Sequence, residues 1–258
     1  MNEPNQTRID HPHVALMVTC LVDTIRPTVG WASVKLLEQA GCRVSVPAQT
    51  CCGQPNWNSG DKAGAADLAR TMIAALEGHD YVVVPSGSCA ATVIKDYPAM
   101  FPDAPDWQAR AEALAARTHE ITSFLTDVLG VEAVEAKLEG RATYHDSCSG
   151  LRSLGVKDQP RKLLASVDGL ELAEMAEPEV CCGFGGTFCV KYPDISNKMV
   201  GAKTDDIAET GADLVLAGDL GCLMNMGGKL SRQGRSVHAR HVVEVLAGVE
   251  GPAIGEAE

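Results

Sequence analysis

The sequence predicts an α/β protein built from two tandem, pseudo-symmetric Rossmann-like repeats with parallel sheets. Short apolar runs alternate with longer segments of helical spacing, which favours parallel strands joined by right-handed crossovers. Only 4% of the 258 residues are aromatic, whereas glycine occurs 25 times, and this composition suits tightly packed helix–sheet layers better than a β-sandwich. The third observation is a cysteine pattern that occurs twice along the chain.

Four cysteines of the first half recur in the second half, in the same order and at offsets of 128 to 133 residues. The pairs are Cys20 with Cys148, Cys51 with Cys181, Cys52 with Cys182, and Cys89 with Cys222. Other segments match in the same order: Lys35-Leu36-Leu37 with Lys162-Leu163-Leu164, Ala69-Arg70-Thr71 with Ala202-Lys203-Thr204, and residues 80–84 with 213–217. This ordered series indicates a duplicated unit. We therefore predict two cysteine-rich domains, at residues 1–135 and 136–258.

Each repeat is predicted to contain the same elements in order. A short apolar strand (residues 14–18 or 142–144) ends just before the first cysteine, and a helix with the Lys-Leu-Leu triplet follows. A second strand leads to the Cys-Cys-Gly loop, and a further helix leads to a third strand and the last cysteine. A long helix at residues 106–129 is expected to close the first repeat, because its apolar residues have helical spacing. A helix at residues 238–246 should close the second.

Charge and hydropathy exclude several classes of protein. The net charge of −12 argues against a nucleic-acid partner, since phosphate contacts require clustered lysine and arginine. The first residues are polar, unlike a signal peptide, and the apolar runs are too short to span a bilayer. We therefore expect a cytoplasmic protein. In that reducing compartment the ten cysteines should serve as ligands or redox groups rather than as a disulfide framework.

The parallel topology should bring the four cysteines of each repeat together, because loops at the carboxyl ends of parallel strands surround one crevice. The gaps between successive cysteine positions, 31 and 37 residues in the first repeat and 33 and 40 in the second, each fit about one crossover. Gly53 and Gly183 are expected to form turns that let the backbone lie close to a bulky bound group. We predict these two glycines and all eight cysteines as the cofactor site.

Four converging thiolates fit either structural zinc or an iron–sulfur cluster. Zinc ribbons and knuckles typically use C-x-x-C pairs, and this sequence contains none. Adjacent cysteines strain a single tetrahedral ion but suit a larger cluster whose irons are separated. The spacing thus favours iron–sulfur, with zinc and purely redox or structural thiols as the alternatives.

The motifs TCCGQPNWNSGD, VVVPSGSCAA, YHDSC and CCGFGGTF followed by VKYPDIS resemble the lactate-utilisation protein A family. That family lies within the "CCG" cysteine-rich superfamily, with the cysteine-rich subunit of heterodisulfide reductase and glycolate oxidase iron–sulfur subunits. The resemblance covers residues 14–246. It implies an iron–sulfur electron-transfer subunit of a cytosolic L-lactate-oxidising complex, with a 4Fe-4S cluster as cofactor and at most one in each repeat. The implied partners are the other subunits of the complex, including a ferredoxin-type iron–sulfur subunit.

Three positions depart from the patterns of these relatives. The full motif of heterodisulfide reductase ends in C-x-x-C, which would place cysteines at Ser86 and Asp219. Their absence argues against five-cysteine clusters and against the alternative of a thiol–disulfide reductase subunit. Asp219 is expected to act either as an oxygen ligand or in a cap or turn. Ser149 stands where the family resemblance suggests histidine.

Some residues look functional but lack a repeated counterpart or a motif. Cys189 has none in the first repeat and is expected to be a small buried residue at a helix start, rather than a ligand. Cys42 is expected in the core. His145 either donates to cluster sulfur or is structural, while His119, His238 and His241 are expected on helices. No flavin, nicotinamide or ferredoxin C-x-x-C-x-x-C motif occurs, so no catalytic residue is predicted and the substrate chemistry is expected on partner subunits.

Overall fold

The computed structural model describes residues 10–256 and contains two four-stranded, entirely parallel sheets. The first sheet consists of β1 (His13–Leu16), β2 (Arg43–Ser45), β3 (Tyr81–Val84) and β4 (Thr118–Glu120), in the order β2-β1-β3-β4. The second consists of β5 (Lys137–Tyr144), β6 (Asp168–Leu172), β7 (Leu214–Ala217) and β8 (His238–His241), in the equivalent order β6-β5-β7-β8. The predicted tandem Rossmann-like architecture is confirmed.

Helices connect the strands in both repeats. Those of the first are α1 (Cys20–Ile25), α2 (Pro27–Gln39), α3 (Gln54–Ser59), α4 (Lys62–Leu76), α5 (Gly87–Ala91), α6 (Pro105–Ala115) and α7 (Ile121–Ser123). Single π-helical turns extend α5 (Thr92–Asp96) and α7 (Phe124–Val128), and a 3-10 turn covers Pro98–Met100. The second repeat contains α8 (Cys148–Leu154), α9 (Asp158–Leu164), α10 (Phe188–Lys191), α11 (Pro193–Glu209), α12 (Leu220–Arg232) and α13 (Val242–Leu246). No helix within residues 10–256 is long and apolar enough to cross a membrane.

The two predicted closing helices are wrong in detail, because each contains a short fourth strand. Residues 106–129 form α6, then β4, then α7 with its π-helical turn, and residues 238–246 form β8 followed by α13. Accordingly His119, His238 and His241 lie on strands rather than on helices. Strands of three or four residues allow hardly more than one alternation of side chains. The helical spacing of the surrounding apolar residues therefore concealed them.

Strand register defines which residues are equivalent in the two repeats. Val14 pairs with Tyr81 as Ala142 pairs with Leu214. Three residues further along, just beyond the ends of β1 and β5, the amide of Met17 donates to the Val83 carbonyl at 2.9 Å, and the amide of His145 donates to the Leu216 carbonyl at 2.8 Å. Met17 and His145 therefore occupy equivalent positions, three residues before the first cysteine of each set.

The equivalence of α4 and α11 differs from the sequence match by two residues. A side chain added at Gly53 would meet Ala65 and Leu68, and one added at Gly183 would meet Ser196 and Met199. Five of the six buried positions of α4 coincide with the buried positions of α11 at this same offset of 131 residues: 65, 69, 72, 73 and 76 in α4, and 196, 200, 203, 204 and 207 in α11. Lys203 thus corresponds to Met72, and not to Arg70.

The core has a central part that both repeats build and an outer part in each. The central cluster combines Leu16 and Val83 of the first sheet with Tyr144 and Leu216 of the second, and it also contains Cys42. One outer cluster packs α4 around Cys52, and the other packs α11 and α12 around Cys182 and Cys222. Cys42 is therefore a core residue, as predicted, and each Cys-Cys loop lies against an outer cluster.

Polar contacts also join the repeats. Arg26 lies at the junction of α1 and α2, and its guanidinium contacts the Glu244 carboxylate of α13 at 2.8 Å. The Thr28 hydroxyl donates to the same carboxylate at 2.6 Å, and the Lys35 ammonium donates to the Ala247 carbonyl at 2.7 Å. These contacts fix α2 against α13.

Candidate metal centres

The first set of cysteines converges at the carboxyl edge of the first sheet. Cys20 is the first residue of α1, Cys51 and Cys52 lie in the loop after β2, and Cys89 lies in α5. The Cys52 and Cys89 sulfurs are 3.5 Å apart. The Cys51 thiol contacts those of Cys20 and Cys52. The four thiols therefore form one continuous series of contacts, and we call them the first site.

The second set has the same arrangement and is called the second site. Cys148 is the first residue of α8, Cys181 and Cys182 lie in the loop after β6, and Cys222 lies in α12. Cys181 contacts Cys148 and Cys182, and Cys182 contacts Cys222. All eight predicted cysteines are therefore in two groups of four.

Contacts among the thiols shift their pKa values in opposite directions. Hydrogen bonds from Cys20 and Cys52 hold the pKa of Cys51 far below the ordinary value for a thiol. Conversely, the contact with Cys51, together with burial, raises the pKa of Cys20. One thiolate is thus stabilised by its protonated neighbours, while further thiolates repel one another. A positively charged metal centre would relieve that repulsion.

The two glycines after the paired cysteines have a conformational role. Gly53 and Gly183 have φ values of 84° and 80°, in the left-handed region that side chains disfavour. A Cβ at Gly183 would lie 2.9 Å from the Ser196 carbonyl oxygen. The Gly183 amide also donates to the Cys181 sulfur at 3.4 Å, and the Gly53 amide donates to Cys51. These glycines therefore let the loop pack on the following helix while its amides face sulfur.

A different side chain anchors the second cysteine of each pair. The Tyr97 hydroxyl donates to the Cys52 carbonyl at 3.0 Å, and the Asn225 amide donates to the Cys182 carbonyl at 2.9 Å. Sequence reasoning missed both residues. No repeated signal marked them, because a tyrosine performs the task in one repeat and an asparagine in the other.

Ser86 and Asp219 occupy the positions where the larger relatives would have cysteines, and both cap helices. Ser86 Oγ accepts the Cys89 amide at 3.4 Å, and the Asp219 carboxylate accepts the Gly221 amide at 3.2 Å. Asp219 also accepts the Ser88 amide of the first repeat at 3.0 Å. The cap interpretation of Asp219 is therefore confirmed, and this carboxylate links the starts of α5 and α12.

The two sites are neighbours across the repeat boundary. A Cβ on Gly87 of α5 would lie 2.9 Å from the Gly150 backbone of α8, so the helices that carry Cys89 and Cys148 are in close contact. A cavity of 190 Å³ is lined by the four cysteines of the first site together with Phe184, Thr187 and Asp219 of the second repeat. The second repeat therefore forms part of the wall around the first site.

His145 lies at the inner side of the second site. Its ring is fully buried, and neither ring nitrogen makes a hydrogen bond of normal geometry, although the Pro178 carbonyl lies near it. Burial, with the nearby Lys203 charge, lowers the pKa of His145 to about 3. One ring nitrogen lies within 4.8 Å of the Cys182 and Cys222 sulfurs. Cys189, by contrast, lies at the start of α10, as predicted, with its sulfur 3.5 Å from the Gly186 carbonyl. It is half-buried, so the prediction of a buried residue is wrong.

The donor set fits a metal group that prefers soft ligands. Thiolates select zinc or iron–sulfur clusters, whereas carboxylate and carbonyl oxygens suit magnesium or calcium. Each site offers four thiols, and backbone amides of Gly53 and Gly183 donate to sulfur. Hydrogen bonds of this kind are among the determinants of cluster potential.

Comparison with known proteins agrees with this arrangement. The family model "CCG: Cysteine-rich domain" matches residues 14–94 and 142–227. "Lactate utilization protein A" of Geobacillus sp. (strain WCH70) is 51% identical over 234 residues, covering 90% of this chain and 98% of the relative. The protein of the same name from Geobacillus kaustophilus is 52% identical over the same shares.

A solved structure shares the fold. The crystal structure of a hypothetical protein from Helicobacter pylori superposes with a TM-score of 0.57 at 11% identity. The match covers 98% of this chain and 52% of that one, so this chain spans about half the length of that structure.

Proposed function

Because the chain belongs to the cysteine-rich CCG domain family and to the family of lactate utilization protein A, we propose that it is the iron–sulfur electron-transfer subunit of a cytoplasmic L-lactate-oxidising complex. The observation that carries the proposal is the pair of four-thiol sites in the same spatial order. We propose the eight cysteines as ligands and Gly53 and Gly183 as the turns that present them, in two domains, residues 1–135 and 136–258.

The spread of the thiols favours clusters over single zinc ions. Four sulfurs around one tetrahedral zinc, each at about 2.3 Å from the ion, lie roughly 3.8 Å from one another. Within residues 10–256, His145, Cys182 and Cys222 are the only three potential ligands whose donor atoms all lie within 4.8 Å of one another. Neighbouring thiols are in contact, as the Cys52 and Cys89 sulfurs are at 3.5 Å, but each set of four extends as a series and is not gathered around a single point. An iron–sulfur cluster, whose irons are separated, suits this extended arrangement of four thiols.

The proposed role is to receive and pass on electrons. A bound 4Fe-4S cluster, at most one in each repeat, supplies one-electron chemistry, so the two electrons from lactate oxidation can be transferred singly. The cysteine thiolates hold the irons, and the amides of Gly53 and Gly183 donate to sulfur. Tyr97 and Asn225 keep the paired cysteines in place through their carbonyls.

Growth on lactate tests the proposed pathway. A strain that lacks this gene should not grow on L-lactate, and the intact chain should restore growth. Cys52→Ser and Cys182→Ser should fail to restore it, because each removes a buried thiol of one site. Cys42→Ala is the matched control, since Cys42 is buried in the central core away from both sets. Normal growth of the deletion strain on L-lactate would contradict the proposal.

Co-purification tests the proposed partners. We propose the other subunits of the complex as partners, including a ferredoxin-type iron–sulfur subunit that continues the electron path. A tagged chain from lactate-grown cells should co-purify with these subunits in a fixed ratio. The ferredoxin-type subunit should contain its own cysteine-ligated clusters. Recovery of the tagged chain alone at physiological salt would contradict a stable complex.

A further inference from the structure

The inner sides of the two sites differ in charge. In the first repeat, Met17 and Met72 are fully buried on the inner side of the paired cysteines. The equivalent positions of the second repeat are occupied by His145 and Lys203, which are also buried. Two polar, nitrogen-bearing side chains therefore replace two thioethers at one of two otherwise similar thiol sites.

Lys203 is a rare type of buried residue. Its side chain is inaccessible to solvent, and its ammonium donates to the Glu177 carbonyl and lies 3.7 Å from the Asp206 carboxylate. Burial lowers the pKa of Lys203, while Asp206 and the nearby Cys182 favour its charged form. The ammonium in turn disfavours a proton on His145. An ammonium that is removed from water is expensive unless something negative compensates it. The Asp206 carboxylate and the Glu177 carbonyl provide part of that compensation, and a metal-bound thiolate at Cys182 would add to it.

His145 has unused hydrogen-bonding capacity. Buried polar atoms almost always have a partner, and an exception calls for a missing group. One ring nitrogen lies within 4.8 Å of the Cys182 and Cys222 sulfurs, so the group bound by these cysteines is the nearest candidate partner.

We infer that His145 and Lys203 are positioning residues that raise the reduction potential of the group bound in the second site. The inference rests on the proposed function. A positive charge and an N–H donor beside sulfur stabilise the more negative, reduced state of a cluster. Met17 and Met72 offer neither to the first site. The two sites of one chain are therefore electronically different, although their cysteines are arranged alike.

Other charges near the second site act in the opposite direction and do not involve these two residues. The Asp219 carboxylate repels negative charge on Cys148 and Cys222. Burial of Cys182 and Cys222 also disfavours an added electron. The same low dielectric strengthens the attraction of the nearby ammonium. The contribution of His145 and Lys203 is therefore the change in the second-site reduction potential when each residue is substituted.

The test is a redox titration of the anaerobically purified full chain, monitored by EPR spectroscopy. Cys52→Ser and Cys182→Ser assign the signals to the first and second sites. Lys203→Gln removes the charge but can still donate to the Glu177 carbonyl, and it should lower the second-site ratio of reduced to oxidised cluster at fixed potential at least about tenfold, or about 59 mV for a one-electron couple. His145→Met, which installs the first repeat's residue, should lower it several-fold.

Matched controls define the remaining outcomes. Lys198→Gln makes the same change at an exposed position of the same helix, and it should move neither potential. In all variants the first-site potential should stay unchanged. Loaded clusters whose second-site potential does not fall in Lys203→Gln and His145→Met, or falls equally in Lys198→Gln, would overturn this inference alone. A wild-type chain without iron and labile sulfide would overturn the proposed function and this inference together.

Discussion

Glu120, at the end of β4, is a fully buried carboxyl group whose ionisation differs from that of an exposed glutamate. Burial raises its pKa from 4.5 to about 7, although the Thr122 hydroxyl and the amides of Thr122 and Ser123 donate to it. The native protein therefore keeps this proton over a pH range in which the unfolded chain has lost it.

This difference predicts a pH dependence of stability. Between pH 4.5 and about 7 the folded state binds more protons than the unfolded state, so the contribution of Glu120 to the free energy of unfolding falls as pH rises through this window. Glu120→Gln should remove that slope and raise stability at pH 8, relative to pH 4.5, by about 3 kcal/mol, at about 1.4 kcal/mol per pKa unit. Urea unfolding of the metal-free chain measures this. An unchanged pH profile in Glu120→Gln would contradict it, and Glu77→Gln, at a partly exposed glutamate, is the control.

The site residues that could be predicted from the sequence are those that occur in both repeats. All eight cysteines were recognisable because each occurs twice in order, and the structure brings them into two groups. Tyr97, Asn225 and Lys203 were not recognised as part of the sites. Each acts through a partner or a cavity that only the tertiary packing defines, and each has a different residue at the equivalent place in the other repeat.

Among the structural elements, the loop after the second pair of cysteines contains glycines in the left-handed backbone conformation. Gly183 and Gly186 both have positive φ, of 80° and 63°. A Cβ on Gly183 would overlap the Ser196 carbonyl oxygen and lie 3.0 Å from Met199 Cβ, whereas a Cβ on Gly186 would enter open space. The two glycines share a conformation and differ in packing.

Alanine substitutions at Gly183 and Gly186 should therefore distinguish the cost of backbone strain from the cost of steric overlap with α11. Gly186→Ala should cost about 1–2 kcal/mol, from the left-handed conformation alone. Gly183→Ala should cost about 1–3 kcal/mol more, because the loop must move away from α11, and it should also release iron from the second site. Thermal unfolding and iron analysis of the two variants measure these effects. Equal losses in both variants would show that the contact with α11 is unimportant.

Sequence pattern predicted three of the four strands in each repeat and missed the fourth. The three predicted strands contain or adjoin apolar runs and lead towards a cysteine or a Cys-Cys loop, so their boundaries are marked. β4 and β8 instead end at Glu120 and His241, which cap the following helices. In a segment whose apolar residues have helical spacing, the sequence does not distinguish such a capping residue from the interior of one continuous helix. Only the pairing of β4 with β3, and of β8 with β7, identifies these strands.

At the scale of the whole molecule, the repeats form one body around a shared core, and Glu244 is a fully buried polar link between them. Its side chain is inaccessible to solvent and contacts Arg26 and Thr28 of the other repeat. It also accepts the His241 amide in the capping box of α13. A single carboxylate thus stabilises a helix start and the contact between repeats.

Removal of this carboxylate should destabilise the whole chain. Glu244→Ala should lower the free energy of unfolding by about 3–5 kcal/mol, because Arg26 loses its charged partner in a largely buried place and keeps only its hydrogen bond to the Pro252 carbonyl. Glu77→Ala is the control, since both side chains of the Glu77–Arg110 ion pair are partly exposed and the pair should contribute at most about 1 kcal/mol. A single unfolding transition, shifted to lower denaturant in Glu244→Ala, is expected. Two separate transitions in the wild type would contradict a shared core.

Iron, zinc and acid-labile sulfide analysis of the anaerobically purified chain decides whether each four-thiol site holds an iron–sulfur cluster. We expect equal iron and sulfide, about four of each for every occupied repeat, with one site's share lost in Cys52→Ser and the other's in Cys182→Ser. Stoichiometric zinc without labile sulfide would contradict the proposed clusters.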